Sequence, residues 1–65
     1  MLYKVWVKGK NGHLWTYDRF REDAHARVVD YDVDGYIIHY IVYETDDPIP
    51  LTLFEEYNLN FEVLD

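Results

Sequence analysis

Asp30, Asp32 and Asp34 stand at alternate positions, and Gly35 follows them directly. Three carboxylates at that spacing can converge on one hard divalent cation, calcium above all, if a glycine bends the chain sharply behind them. No other stretch of the 65 residues has side chains so suggestive of chemistry. Catalysis has little to work with. Cys and Ser are both absent, so the nucleophiles reduce to three Thr and the Tyr hydroxyls. His13, His25 and His39 fall in three different elements without metal-ligand spacing. Paired carboxylates for acid–base work need a cleft, which so short a domain rarely has the volume to form. No enzymatic activity and no cofactor are expected.

The run Asp30-Tyr31-Asp32-Val33-Asp34-Gly35-Tyr36-Ile37 reads D-x-D-x-D-G-x-I and resembles the first eight positions of an EF-hand calcium loop. It departs from that family where the chemistry is most demanding. The twelfth position, a bidentate Glu in the family, is Ile41. The fourth is Val33, which resists a positive φ. The segment that would form the exit helix reads as a strand. Against calcium binding through Asp30, Asp32 and Asp34 stands a plainer reading, a solvated helix end closed by Gly35.

Charge is the most informative bulk property. The formal net charge is −7. All six bases lie in residues 1–27 with three acids, whereas residues 28–65 carry ten acids and no base. Such asymmetry points to an electrostatic partner, although an acidic surface also serves solubility alone. Lys4, Trp6 and Lys8 have the make-up of a small single-strand platform, with bases stacking on Trp and phosphates meeting Lys. The net charge opposes direct nucleic-acid affinity. Nothing resembles a signal peptide, and no run approaches the roughly 18 apolar residues of a membrane helix. With no Cys for disulfides, a cytoplasmic protein without membrane contact is expected.

The elements that must position these side chains follow from periodicity. A single domain over 1–65 is expected, of α+β class. Its small antiparallel sheet is built from a β-hairpin, a central strand and a C-terminal strand, with one helix packed on one face. Leu2–Lys8 and His13–Arg19 both alternate and are read as the hairpin, joined by a three-residue loop at Lys10-Asn11-Gly12. Phe20, Ala24, Val28 and Tyr31 form a helical stripe, so residues 20–33 are read as the helix. Within it, Glu22 and Asp23 would occupy the first turn, and Asp23 would pair with Arg27. Tyr36–Tyr43 is the central strand, β-branched and aromatic throughout most of its length. Both of its faces are mainly apolar, which calls for cover from the C-terminal segment or from a second copy of the chain. Thr52-Leu53-Phe54-Glu55 matches a capping box, placing a helical turn at 53–57. Leu59, Phe61 and Val63 alternate as the last strand, 59–64.

In acidic balance and in the order hairpin, helix, strand over residues 2–45, the chain resembles small phage proteins that block host nucleic-acid enzymes. These are the anti-CRISPR proteins, the anti-restriction DNA mimics and the uracil-DNA glycosylase inhibitors. The resemblance implies a non-enzymatic inhibitor acting in the host cytoplasm by occupying the basic groove of a nucleic-acid-binding host protein. Asp30, Asp32, Asp34, Glu44, Asp46, Asp47, Glu55 and Glu56 are the expected acidic contacts, with Trp6 and Tyr43 as aromatic anchors. The alternative is a homo-oligomeric module, a dimer in the simplest case, whose acids only solubilise it.

Overall fold

The computed structural model describes residues 1–9 and 13–65. The elements are β1 (Leu2–Val7), α1 (Leu14–Ala24), β2 (Arg27–Asp34), β3 (Ile37–Glu44), α2 (Leu51–Glu56) and β4 (Leu59–Val63). The four strands form one antiparallel sheet in the order β2-β3-β1-β4. The class is α+β, as the sequence implies. The Tyr36–Tyr43 run supplies an interior strand, β3. Both helices pack on one face of the sheet, and the other face carries no helix.

The expected hairpin between 2–8 and 13–19 does not form, because the chain from Leu14 onward is helical. Leu14, Tyr17, Phe20 and Ala24 are spaced 3, 3 and 4, a helical stripe that begins two turns earlier than Phe20. That stripe puts Tyr17 and Phe20 into the core, and their burial outweighs the local alternation. The expected turn at Lys10-Asn11-Gly12 lies outside the described residues. Only 20–24 of the expected 20–33 helix is helical, and the rest becomes β2. Val28, Val29, Tyr31 and Val33 suit a pleated strand better than a helix interior. Asp23 consequently ends α1 instead of opening it, and Arg27 turns to Glu44 and Asp46.

The real hairpin joins β2 to β3. Asp34 pairs with Ile37, leaving Gly35 and Tyr36 as a two-residue loop. Gly35 has φ +60, the positive value that the first loop position of a type II′ turn requires. The register slips twice, beside Val29 on β2 and beside His39 on β3.

Tyr3 and Val5 of β1 point into the core with Leu59 and Phe61 of β4, Ile41 and Tyr43 of β3, and Phe20 and Phe54 of the helices. The Phe20 ring lies 5.1 Å from Phe54 and 5.6 Å from Tyr43, while Phe54 stacks on Phe61 at 4.1 Å. Buried tyrosines also serve backbone groups that the sheet leaves over. Tyr17 Oη accepts from Val7 N–H at 3.1 Å, Tyr3 Oη accepts from Ile49 N–H at 3.1 Å, and Tyr43 Oη donates to the Tyr17 carbonyl at 3.1 Å. Among the described residues no buried side-chain polar atom lacks a partner. A core rich in Tyr is thereby also a set of ties between elements.

Helix α1 closes in a Schellman arrangement. Ala26 N–H reaches the Arg21 carbonyl at 3.0 Å and His25 N–H reaches that of Glu22 at 3.2 Å. His25 is exposed and left-handed, with φ 53. Only glycine adopts that conformation without Cβ strain. His25→Gly is expected to stabilise the domain by about 0.5–1 kcal/mol, read as a rise of a few degrees in Tm by calorimetry. Helix α2 starts two residues before the expected turn, with Pro50 at its N-cap and no side-chain cap bond, so the Thr52 capping box is not used.

Candidate interaction surface

The surface is built on β2 and the first turn of α1. All eight residues of β2 are exposed. Tyr31 lies opposite Ile41, and Val28 opposite Tyr43, so both side chains lie on the helix-bearing face. Asp30 lies opposite Val42 and Asp32 opposite Tyr40, on the helix-free face, and alternation carries Asp34 to the same side. The strand thus has an apolar side and an acidic side.

On the apolar side the hairpin extends past the helices. Leu14 is 68% exposed and Trp15 62%, although both open α1. Between α1 and the hairpin lie two adjoining hollows that share Leu14. One, of about 410 Å³, is bounded by Trp15, Val28, Ile41 and Arg21. The other, of about 490 Å³, is bounded by His13, Tyr31, Val33 and Ile38. With Tyr36, which projects fully into solvent at the turn, they form an exposed apolar groove.

The acids expected to act together divide into separate groups. Asp30, Asp32 and Asp34 form one row on β2. Glu44 and Asp46 sit 3.0 and 3.3 Å from the Arg27 guanidinium, which pairs with both and offsets one of their two charges, and whose own pKa these hydrogen bonds raise. Asp47 belongs to a shallow hollow with Asp23, His25 and Pro48. Glu55 and Glu56 are exposed on α2, away from β2. Of the two expected aromatic anchors, Trp6 is half-buried on the helix-free face, where Lys4 Nζ stands 6.0 Å from its ring and 4.5 Å from that of Tyr40. Tyr43 is 1% exposed and bonded within the core, so it cannot meet a partner. Tyr31, by contrast, is exposed on the helix-bearing face of β2, a placement that the helical stripe in the sequence conceals.

No protein-family model, curated protein or solved structure matches the chain. Its functional reading therefore rests on this surface.

The surface does not support calcium. An extended strand sets Asp30, Asp32 and Asp34 at successive intervals of about 7 Å, whereas a calcium loop curls its oxygens to within about 2.6 Å of one point. Asp30 Oδ1 accepts instead from the Tyr31 N–H at 2.8 Å. Among the described residues no group of His, Asp or Glu side chains is placed to hold a metal. Nor is any helix there long and apolar enough to cross a membrane. The helix-free face has no cover from the C-terminal segment, because β4 lies at the far edge of the sheet. Val42 is nonetheless buried there, between the strands that carry Asp30 and Lys4.

Proposed function

We propose that this chain is a non-enzymatic acidic binding protein that occupies the basic groove of a nucleic-acid-binding protein, in the manner of a phage inhibitor of host defence or repair. The observation that carries the reading is the row of Asp30, Asp32 and Asp34 on one face of a wholly exposed strand. Carboxylates about 7 Å apart along an extended backbone are spaced much like successive phosphates of an extended single strand. A groove evolved to neutralise phosphates would accept that row, and attraction between the two would speed encounter. The contact narrows from the broad patch expected to the hairpin, since Glu44 and Asp46 are already paired with Arg27. Tyr31, Val33 and Tyr36 provide the apolar contact that charge alone lacks. The target would be met in the host cytoplasm.

The test is affinity capture from a bacterial lysate at low and high salt, with recovered proteins identified and then challenged with single-stranded oligonucleotide. The wild-type chain should enrich nucleic-acid-binding proteins that high salt and oligonucleotide release. The triple variant Asp30→Asn, Asp32→Asn, Asp34→Asn should lose at least about tenfold of that affinity, since each charge-assisted contact is worth about 1 kcal/mol or more. Recovery of proteins with no basic groove, or capture indifferent to the three Asn, would overturn the reading. The exposed Leu14–Trp15 groove favours a second reading, self-association of two copies. Sedimentation showing a dimer that Trp15→Ala disperses would establish it.

A further inference from the structure

Strand β2 pairs with β3 along one edge, and among the described residues no element pairs with the other. Proteins usually blunt such an edge by making it short, by placing Pro or charged side chains in it, by bulging it, or by covering it; β2 has a bulge beside Val29 and three acids, which repel another acidic edge but would attract a basic one. At eight residues β2 is as long as β3, and it contains no Pro. Its outward N–H and C=O groups are a template for one more strand, with the Tyr31 N–H, now held by Asp30 Oδ1, to be released on pairing, and its side chains specify what that strand must carry. On the helix-free face an added strand would run beside Asp30, Asp32 and Asp34. On the opposite face it would run beside Val28, Tyr31 and Val33, the last two of which border the hollow that Leu14, Tyr36 and Ile38 also line.

We infer that β2 takes up an extended segment of a basic partner as a fifth strand, with Lys or Arg at alternate positions against the Asp row and apolar residues between them against Tyr31 and Val33. The inference rests on the reading that the chain binds a basic protein surface, and adds the mode of attachment. Main-chain pairing supplies affinity and the alternating side chains supply selection, as in other cases of strand addition. Charge disfavours a second copy as the occupant wherever the pairing centres on the Asp row, and centring on Val28 or Val29 would fall at the bulge of β2. Two-fold antiparallel pairing of β2 with itself must centre on one residue. Centred on Asp30, Tyr31, Asp32 or Val33, it sets Asp opposite Asp, and like charges directly opposite are destabilising.

The probe is a short peptide of alternating lysine and valine, matched in length to β2. A second form of it carries N-methyl groups on the residues of one edge, which removes donors and keeps every charge. Binding is followed through the backbone amide resonances of the full chain. The parent peptide should shift the amides of β2, and methylation should weaken it about tenfold through loss of several main-chain bonds. Asp32→Lys, on an exposed position that folding tolerates, should weaken it comparably. Equal affinity for both peptides, or shifts confined to α2 or to the Asp47 hollow, would overturn the inference. So would β2 amides protected by dimerisation without peptide. If methylation-sensitive binding at β2 is seen but lysate capture yields no nucleic-acid-binding protein, strand addition stands and polynucleotide mimicry falls. If capture succeeds while methylation has no effect, mimicry stands and strand addition falls.

Discussion

Phe20→Ala is expected to leave the domain largely unfolded at room temperature. Phe20 is completely buried and sits at the junction of both helices with the sheet, its ring 5.1 Å from Phe54, 5.6 Å from Tyr43 and 5.9 Å from Tyr57. Truncating a buried Phe to Ala costs about 3–5 kcal/mol. At about 0.05–0.15 kcal/mol per residue, a chain of this length has only about 3–10 kcal/mol of stability, and domains this small lie toward the low end. There is no disulfide to hold the remainder together. Far-UV circular dichroism and urea titration would show it, and retention of a full cooperative transition would mean that the aromatic junction is not the keystone. Tyr36→Ala is the control. That ring is equally large but entirely exposed at the hairpin turn, so its loss should change stability by no more than about 0.5 kcal/mol.

Alkaline unfolding is the second large effect expected. Burial pushes the Tyr43 hydroxyl far above its ordinary value of 10.0, with the neighbouring Tyr17 adding to the shift. Burial also raises Tyr17, partly offset by the hydrogen bond from Val7 N–H. Tyr57 is held up by its hydrogen bond to Asp23. The folded chain keeps these protons more tightly than the unfolded chain. Stability is therefore complete below about pH 10 and declines as pH rises from there through the folded-state values. Tyrosinate absorbance followed alongside ellipticity should show some of the seven tyrosines ionising only as structure is lost. If all seven ionise before the ellipticity changes, the burial argument fails. Tyr17→Phe should weaken the domain by about 1–3 kcal/mol near neutrality, through the unpaired Val7 N–H, yet flatten the alkaline decline.

What could be read from the sequence divides along physical lines. Strands β1, β3 and β4 were legible because each makes one strong local statement: alternation at Tyr3-Val5-Val7 and Leu59-Phe61-Val63, a β-branched run at Ile37–Val42. Helix α2 was legible through the Thr52–Glu55 capping-box pattern, although the helix starts two residues earlier behind Pro50 and leaves that box unused. The middle of the chain makes two statements at once. His13–Arg19 alternates, but Leu14, Tyr17 and Phe20 also fit a helix, and tertiary burial of the last two decides for the helix. Phe20, Ala24, Val28 and Tyr31 fit a helix, but Asp30-Tyr31-Asp32-Val33-Asp34 alternates. Asn11-Gly12 reads as the hairpin turn and Gly35 as a helix stop, yet the hairpin that the described residues form turns at Gly35-Tyr36, between the β-branched runs of β2 and β3. The acidic row was legible as residues but not as a strand edge, because the Phe20-Ala24-Val28-Tyr31 stripe has helical spacing and masks the alternation of Asp30, Asp32 and Asp34. Residue type alone suggests Tyr43 as an anchor; its neighbours in space, Phe20 and Tyr17, bury it.

Strand β1 lies between β3 and β4 in the sheet, so residues 2–7 pair only with 41–44 and 59–63. Every one of those pairings closes a long loop of chain, and its entropy is lost before the contact returns anything. The β2–β3 hairpin can fluctuate into existence within microseconds, but it buries little by itself. Refolding should accordingly be paced by the arrival of the late-synthesised strand against the first one, in the slow millisecond-to-second regime of non-local topologies, and during that wait the amino-terminal strand has both its flanks open to the wrong neighbour.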